Sequence, residues 1–496
     1  MNGHRGWRGL AAAFSLAALA AIVATEPCRA DNYRHVFTWT GSFGLVGFDL
    51  ENEYLAIGRR QDDSGFLVRY DLGFTWRYRD LAGAALRVAA EGQSRYAIPI
   101  GTDRETFFGT YEKLDASDLL PRVDEVYAWL NNPGGRWRAA AGILRFLDKD
   151  KYANPGVTLG YFNSRLAVTM HYEDLMKRGD WFCQPMKLTI RDIISDRQDA
   201  YYTAMNAALS GVSWHLNMTG EWLVDETPAA TRVNGLESVW GMVDHDELGT
   251  GTLAGRVAWH GWHGEMSAAM NFGGFDTISG TEPSERYGYT GRRLDAAVGY
   301  TRGIWSLRAG HTTASGQPWP APESGRIPRN YQGFAHFPPT DLGMYNAHYR
   351  KEDGPKVLGG GTLTPFYGVP RPGFYFDSFM VENMQLDSLR LTLEPLPDWT
   401  LQITGWWMAA LETPYSWDGA GWTRLDRDLG RELDIECVWN PRRHLQIRGF
   451  WGWYRTGGYH EDSARRLSPL RRPDDPWRAL GDEMVQLAEV EVAVWR

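Results

Sequence analysis

The stretch Phe66–Arg79 alternates between two kinds of side chain. Even positions carry Phe66, Val68, Tyr70, Leu72, Phe74, Trp76 and Tyr78, and odd positions from 69 carry Arg69, Asp71, Gly73, Thr75, Arg77 and Arg79. A strand has a period of two, so the aromatic and charged sets fall on opposite faces of a sheet. The pattern recurs downstream. Leu389, Leu391 and Leu393 oppose Ser388, Arg390, Thr392 and Glu394. Leu433, Ile435 and Trp439 oppose Glu432, Asp434 and Glu436, and Val490, Val492 and Val494 oppose Glu489 and Glu491. Period-two alternation, not helical periodicity, dominates the chain.

The connections come in two sizes. Turn residues mark short ones at 79–83, 131–135, 302–303, 395–398 and 440–443, and long ones fall near 97–122, 147–164, 225–252, 273–292, 314–379, 412–429 and 455–483. Up-and-down barrels of the outer membrane keep short turns on the periplasmic side and long loops outside, so the two sizes must alternate. Imposing that rule predicts eighteen strands, near 44–58, 66–79, 84–96, 123–131, 136–146, 165–173, 181–192, 199–209, 212–224, 253–259, 263–272, 293–301, 304–313, 380–394, 399–411, 430–440, 444–454 and 484–495. An even number places both termini in the periplasm. Aromatic residues near strand ends (Trp76, Tyr78, Trp406, Trp407, Trp451, Trp453 and Tyr454) suit a girdle at the lipid headgroups.

The N-terminal residues add a compartment. Met1–Ala30 has a basic opening with Arg5 and Arg8, an apolar run from Leu10 to Val23, and the closing residues Cys28-Arg29-Ala30. That run is too short to span a bilayer and reads as a secretory signal cleaved after Ala30. The expected organisation is a signal peptide over 1–30 and one barrel domain over 31–496, located in the cell outer membrane. Removing 1–30 leaves 49 basic against 60 acidic residues, a net charge of −11, which excludes a nucleic-acid binder. No run of about 18 apolar residues follows, so no transmembrane helix is expected. Cys183 and Cys437 alone are too few for a disulfide framework, and Cys437 falls on the apolar face of its strand.

Three segments resemble the alginate-export family of outer-membrane barrels. Asp124-Glu125-Val126-Tyr127-Ala128-Trp129-Leu130, with Ala141-Gly142-Ile143-Leu144-Arg145-Phe146 after a short turn, is similar to a strand pair of that family. Ala314-Ser315-Gly316 and Phe334-Ala335-His336-Phe337-Pro338 resemble the start and end of its long loop. Asn383, Arg390-Leu391, Pro395, Leu401, Gly430-Arg431-Glu432-Leu433-Asp434 and His444-Leu445-Gln446 follow the family order through four strands. The resemblance implies a passive channel exporting an acidic polysaccharide, with Glu125, Arg145 and Arg390 facing the lumen.

Strand parity agrees with those three and adds others. The expected substrate pathway is lined by Arg69, Arg77, Arg87, Glu125, Arg145, Arg390, Asp434, Glu436 and Arg448, with Arg79, Glu489 and Glu491 on the same face. Mirror register about the 131–135 turn would set Glu125 and Arg145 diagonally adjacent. Such a wall can pass an anionic solute or polysaccharide along weak sites, or simply stiffen itself with ion pairs. The long 314–379 segment, rich in proline, is a candidate constriction or an external loop. The partners expected are outer-membrane lipid, the transported anion and the barrel-insertion machinery, with the barrel a monomer. No catalytic signature or metal-ligand set stands out: His260 and His263 straddle a predicted turn without a third ligand. No cofactor and no enzymatic activity are expected. A general small-solute porin, a surface enzyme and a structural barrel with a plugged lumen are the alternatives.

Overall fold

The computed structural model describes residues 35–51, 63–95, 122–144, 154–176, 197–225, 242–279, 282–316, 330–332, 376–377, 380–381, 383–413, 415–417, 422–459, 462 and 484–495. Eighteen strands form one antiparallel ring. They are β1 (His35–Glu51), β2 (Asp63–Tyr78), β3 (Ala82–Arg95), β4 (Arg122–Asn131), β5 (Trp137–Leu144), β6 (Asn154–Phe162), β7 (Leu166–Met176), β8 (Arg197–Ser210) and β9 (Trp214–Asp225). The second half continues with β10 (Met242–Trp259), β11 (Trp262–Ser279), β12 (Arg292–Arg302), β13 (Trp305–Ala314), β14 (Met384–Leu396), β15 (Trp399–Ala410), β16 (Asp428–Arg442), β17 (Leu445–Thr456) and β18 (Met484–Trp495). Each strand pairs with its neighbours in sequence, and β18 pairs back onto β1, with Leu45 opposite Val492. A short additional strand, Glu282–Tyr289, extends the ladder of β11 beyond the ring.

Eight connections have two to five residues and all lie at one end of the barrel, called here the turn end; the connections at the other, loop end have nine or more. Turn residues explain the short ones. His260 and Gly261 both take positive φ between β10 and β11, and Gly303 does so between β12 and β13. Pairing of β18 with Ser42–Glu51 of β1 closes the ring, the condition for a sheet to survive in hydrocarbon.

The face of each strand follows from the register. Outward positions expose large apolar side chains: Phe37 is 58% exposed, Leu159 50%, Met266 58%, Val298 53% and Trp451 48%. A water-soluble barrel would not leave so many uncovered. Trp259, Trp262, Trp305, Trp399 and Trp439 crowd the turn end of this outer face. Cys437 lies on it too, between Leu401 and Gly449, as its strand parity requires.

Several expectations are corrected. β1 begins at His35 rather than near 44, and β10 at Met242 rather than near 253. Asn154–Phe162 is a strand, not part of a loop: Pro155, its second residue, is paired with Ile143 on one side before the ladder to the next strand starts at Gly156, so its missing N–H is tolerated. The strand expected at 181–192 lies outside the described residues, as do the signal segment, Cys183 and nearly all of 317–375. Trp406 and Tyr454 do not join the outer girdle. Both are buried inside the ring, while Trp407 and Trp453, one position away, face outward.

Candidate functional site

The inner wall is polar and cross-linked from strand to strand. Thr158 and the Nδ1 of His171 are 2.8 Å apart, Asn206 donates to Thr219 at 2.9 Å, and Asn271 donates to Thr250 at 2.9 Å. The Tyr202 hydroxyl donates to Glu221 at 2.7 Å, and Thr312 donates to Asp295 at 2.8 Å. Cross-strand pairs of this kind satisfy the polar groups of one face while the other face stays apolar.

Exposure of the inward residues changes along the barrel axis. Near the turn end Thr38, Thr40, Arg256 and Ala258 are exposed and Thr400, Gln402 and Gln446 half-buried. Towards the loop end the inward residues of the same strands close up: Gly44, Thr250, Thr404, Trp406, Met408, Phe450 and Tyr454 are all buried. The interior is therefore an open vestibule at the turn end that fills towards the loops.

Ion pairs link the wall at several heights, from Glu265 and Arg308 near the short turns to Arg293 and Asp295 near the loops. Arg448 bridges two carboxylates from its neighbouring strands, with Nε 2.8 Å from Glu436 Oε1 and Nη1 3.5 Å from Glu491 Oε2. Arg87 lies 3.5 Å from Asp71, which also accepts from the Ser42 hydroxyl. Arg308 contacts Glu265 at 2.9 Å, and Arg293 grips Asp295 at 2.9 Å. Arg390 stands directly across from Arg308 in the β13–β14 ladder. Asp434 accepts from the indole Nε1 of Trp406 at 3.1 Å. Around β16–β18 the wall is acidic, with Glu432, Asp434, Glu436, Glu489 and Glu491 on the inward face.

Of the residues expected to line the pathway, Arg77, Arg87, Glu125, Arg390, Asp434, Glu436 and Arg448 share the inward register. Arg87 is opposite Glu125. Arg69 occupies the register position between Gly44 and Glu91. Arg145 lies outside the described residues, and the register proposed for it does not hold. Val126 pairs with Ile143 and Tyr127 with Gly142, so positions of opposite parity share a face across this hairpin. Arg79 is not on the inner wall either: it sits in the turn with φ 47°, its guanidinium 5.7 Å from the ring of outward-facing Tyr78. The sequence reading passed over Arg308, Glu265 and Arg256, although Ser306, Arg308 and Gly310 alternate with Trp305, Leu307 and Ala309. His260 and His263 do not converge; His260 is in a turn and His263 points inward against Gly299.

No protein-family model and no curated protein matches the chain. Among solved structures, the chain is similar to Pseudomonas aeruginosa OccK9 (OpdG), at 12% identity, 92% coverage of this chain and 98% of that one, with a TM-score of 0.49. It is also similar to Acinetobacter baumannii OccAB2, at 10% identity, 92% and 98% coverage and a TM-score of 0.49. Pseudomonas aeruginosa OccK11 (OpdR) matches at 12% identity, 92% and 95% coverage and a TM-score of 0.44.

Proposed function

We propose that this chain is an outer-membrane channel that passes small charged solutes down their gradient. One observation carries the reading: the closed ring of eighteen strands exposes bulky apolar side chains outward and lines its interior with hydrogen-bonded and ionised groups. That is the reverse of a water-soluble barrel, and rings of this strand number enclose an aqueous lumen. Arginines at mid-wall would each cost about 2–4 kcal/mol facing lipid, which favours a wet interior.

Anionic cargo, including an acidic polysaccharide, is supported by Arg77, Arg87, Arg256, Arg308 and Arg390 around the vestibule, and the family resemblance points the same way. Pairing of Arg87, Arg293, Arg308 and Arg448 with carboxylates favours a second reading, a general small-solute porin whose charges mainly hold the wall. Reconstitution in planar bilayers under a salt gradient tests both. Stepwise conductance is expected, with a reversal potential favouring anions if the arginines select. Conductance without anion preference would leave the porin reading, and no conductance in folded, inserted barrels would overturn the channel.

A further inference from the structure

The outer wall carries a groove of about 610 Å³ across β1–β5. Phe37, Trp39, Phe74 and Trp76 form one bank, Leu86 and Val126 rise beyond it, and Ala84, Ala128 and Ala141 make the floor. The register explains the shape. Trp76, Ala84, Ala128 and Ala141 are successive partners across four strands, so three alanines in a row leave a trough beside the aromatic bank. The volume is within the range of about 300–1,000 Å³ typical of small-ligand sites.

The turn-end mouth of the groove is polar. His35 pairs with Tyr78 one ladder step below Phe37 and Trp76, and its ring lies 4.9 Å from that of Tyr78 and 6.0 Å from that of Trp76. The guanidinium of Arg79 sits over Tyr78, in a turn whose neighbouring carboxylate is Asp80. An apolar trough ending on a guanidinium, an imidazole and a phenol at the membrane boundary matches one class of molecule: a phospholipid, acyl chain in the trough and phosphate at the mouth.

We propose that this groove is a phospholipid-binding site, with Arg79 holding the phosphate and the Ala84–Ala128–Ala141 floor holding one acyl chain. The proposal rests on the outer-membrane reading above. It concerns the outer face only, so channel conductance is expected to survive its loss.

Native mass spectrometry of the full chain, folded in mild detergent and mixed with phosphatidylglycerol or phosphatidylethanolamine, tests it. One retained phospholipid per barrel is expected. Ala128→Trp, which fills the floor, should abolish retention, and Arg79→Ala should weaken it about tenfold, the worth of one charge-assisted hydrogen bond to phosphate. Stronger retention of phosphatidylglycerol would assign the mouth to an anionic headgroup; equal retention would assign it to the phosphodiester common to both. Retention unchanged in both variants overturns the site. So does a mass of two or more barrels that Ala128→Trp reduces to one, because the groove would then be a surface for a second copy. Bilayer conductance of the same samples separates the two readings: barrels that conduct but hold no lipid refute the site alone, and barrels that hold lipid but never conduct refute the channel alone.

Discussion

Trp406 and Asp434 meet diagonally across the β15–β16 pair, the indole Nε1 donating to Oδ2 at 3.1 Å with both residues almost fully buried. The next residue, Trp407, points the opposite way and is 44% exposed on the outer face. Two adjacent tryptophans thus belong to different environments. Trp406→Phe removes the donor to a buried carboxylate and should cost about 1–3 kcal/mol, the penalty for leaving such a group short of a partner. Trp407→Phe, which keeps an apolar ring in the same place, should cost far less. Urea unfolding of the barrel in lipid vesicles would show the difference as a lower midpoint for the first variant only.

Arg448 is the cross-brace of the acidic wall. Arg448→Gln leaves Glu436 and Glu491 without their shared counter-charge in a half-buried setting. A loss of about 1–3 kcal/mol in the same assay is expected, together with a shift of the reversal potential towards cations. Restoring stability by adding Glu436→Gln and Glu491→Gln would show that the repulsion, rather than the missing side chain, is responsible.

Arg308 and Arg390 offer the sharpest test of selectivity, since they stand opposite each other on neighbouring strands of the inner wall. Arg308→Glu with Arg390→Glu should lower the chloride-to-potassium permeability ratio several-fold, measured by reversal potential under a salt gradient. An unchanged ratio would assign both arginines to wall support.

Gly83 accommodates the indole of Trp129 on the inner face, and a Cβ at this position would overlap the ring. The guanidinium of Arg138 lies over the same ring, 5.2 Å from its centre. Gly83→Leu should therefore cost about 1–3 kcal/mol through overpacking. Trp129→Ala should cost about 3–5 kcal/mol through the void it leaves. Both are readable as earlier loss of the folded, heat-modifiable band on gels.

Alternation made the wall legible wherever one strand carried enough of it. Phe66–Tyr78, Leu389–Leu393 and Leu433–Trp439 take the register faces their alternation prescribes, and Cys437 faces outward with its neighbours. Register across a turn is a different kind of information. The β4–β5 hairpin pairs Asn131 with Arg138, three positions off the mirror expected about 131–135, and an odd shift moves every residue to the other face. Parity from Thr400, Gln402 and Thr404 already puts Trp406 inside and Trp407 outside; a girdle read from aromatic content alone takes both, because it does not see the buried carboxylate that Trp406 meets. Asn154-Pro155-Gly156 has the chemistry of a turn, yet Pro155 and Gly156 open a strand because the ladder there is just beginning.

The seam between β1 and β18 joins Ser42 to Trp495 and Glu51 to Gln486, the two ends of the chain. Until those two strands meet, the sheet has two raw hydrogen-bonding margins that hydrocarbon cannot satisfy. That pairing joins strands more than 430 positions apart, so the slowest contact to find is also the one the ring cannot do without.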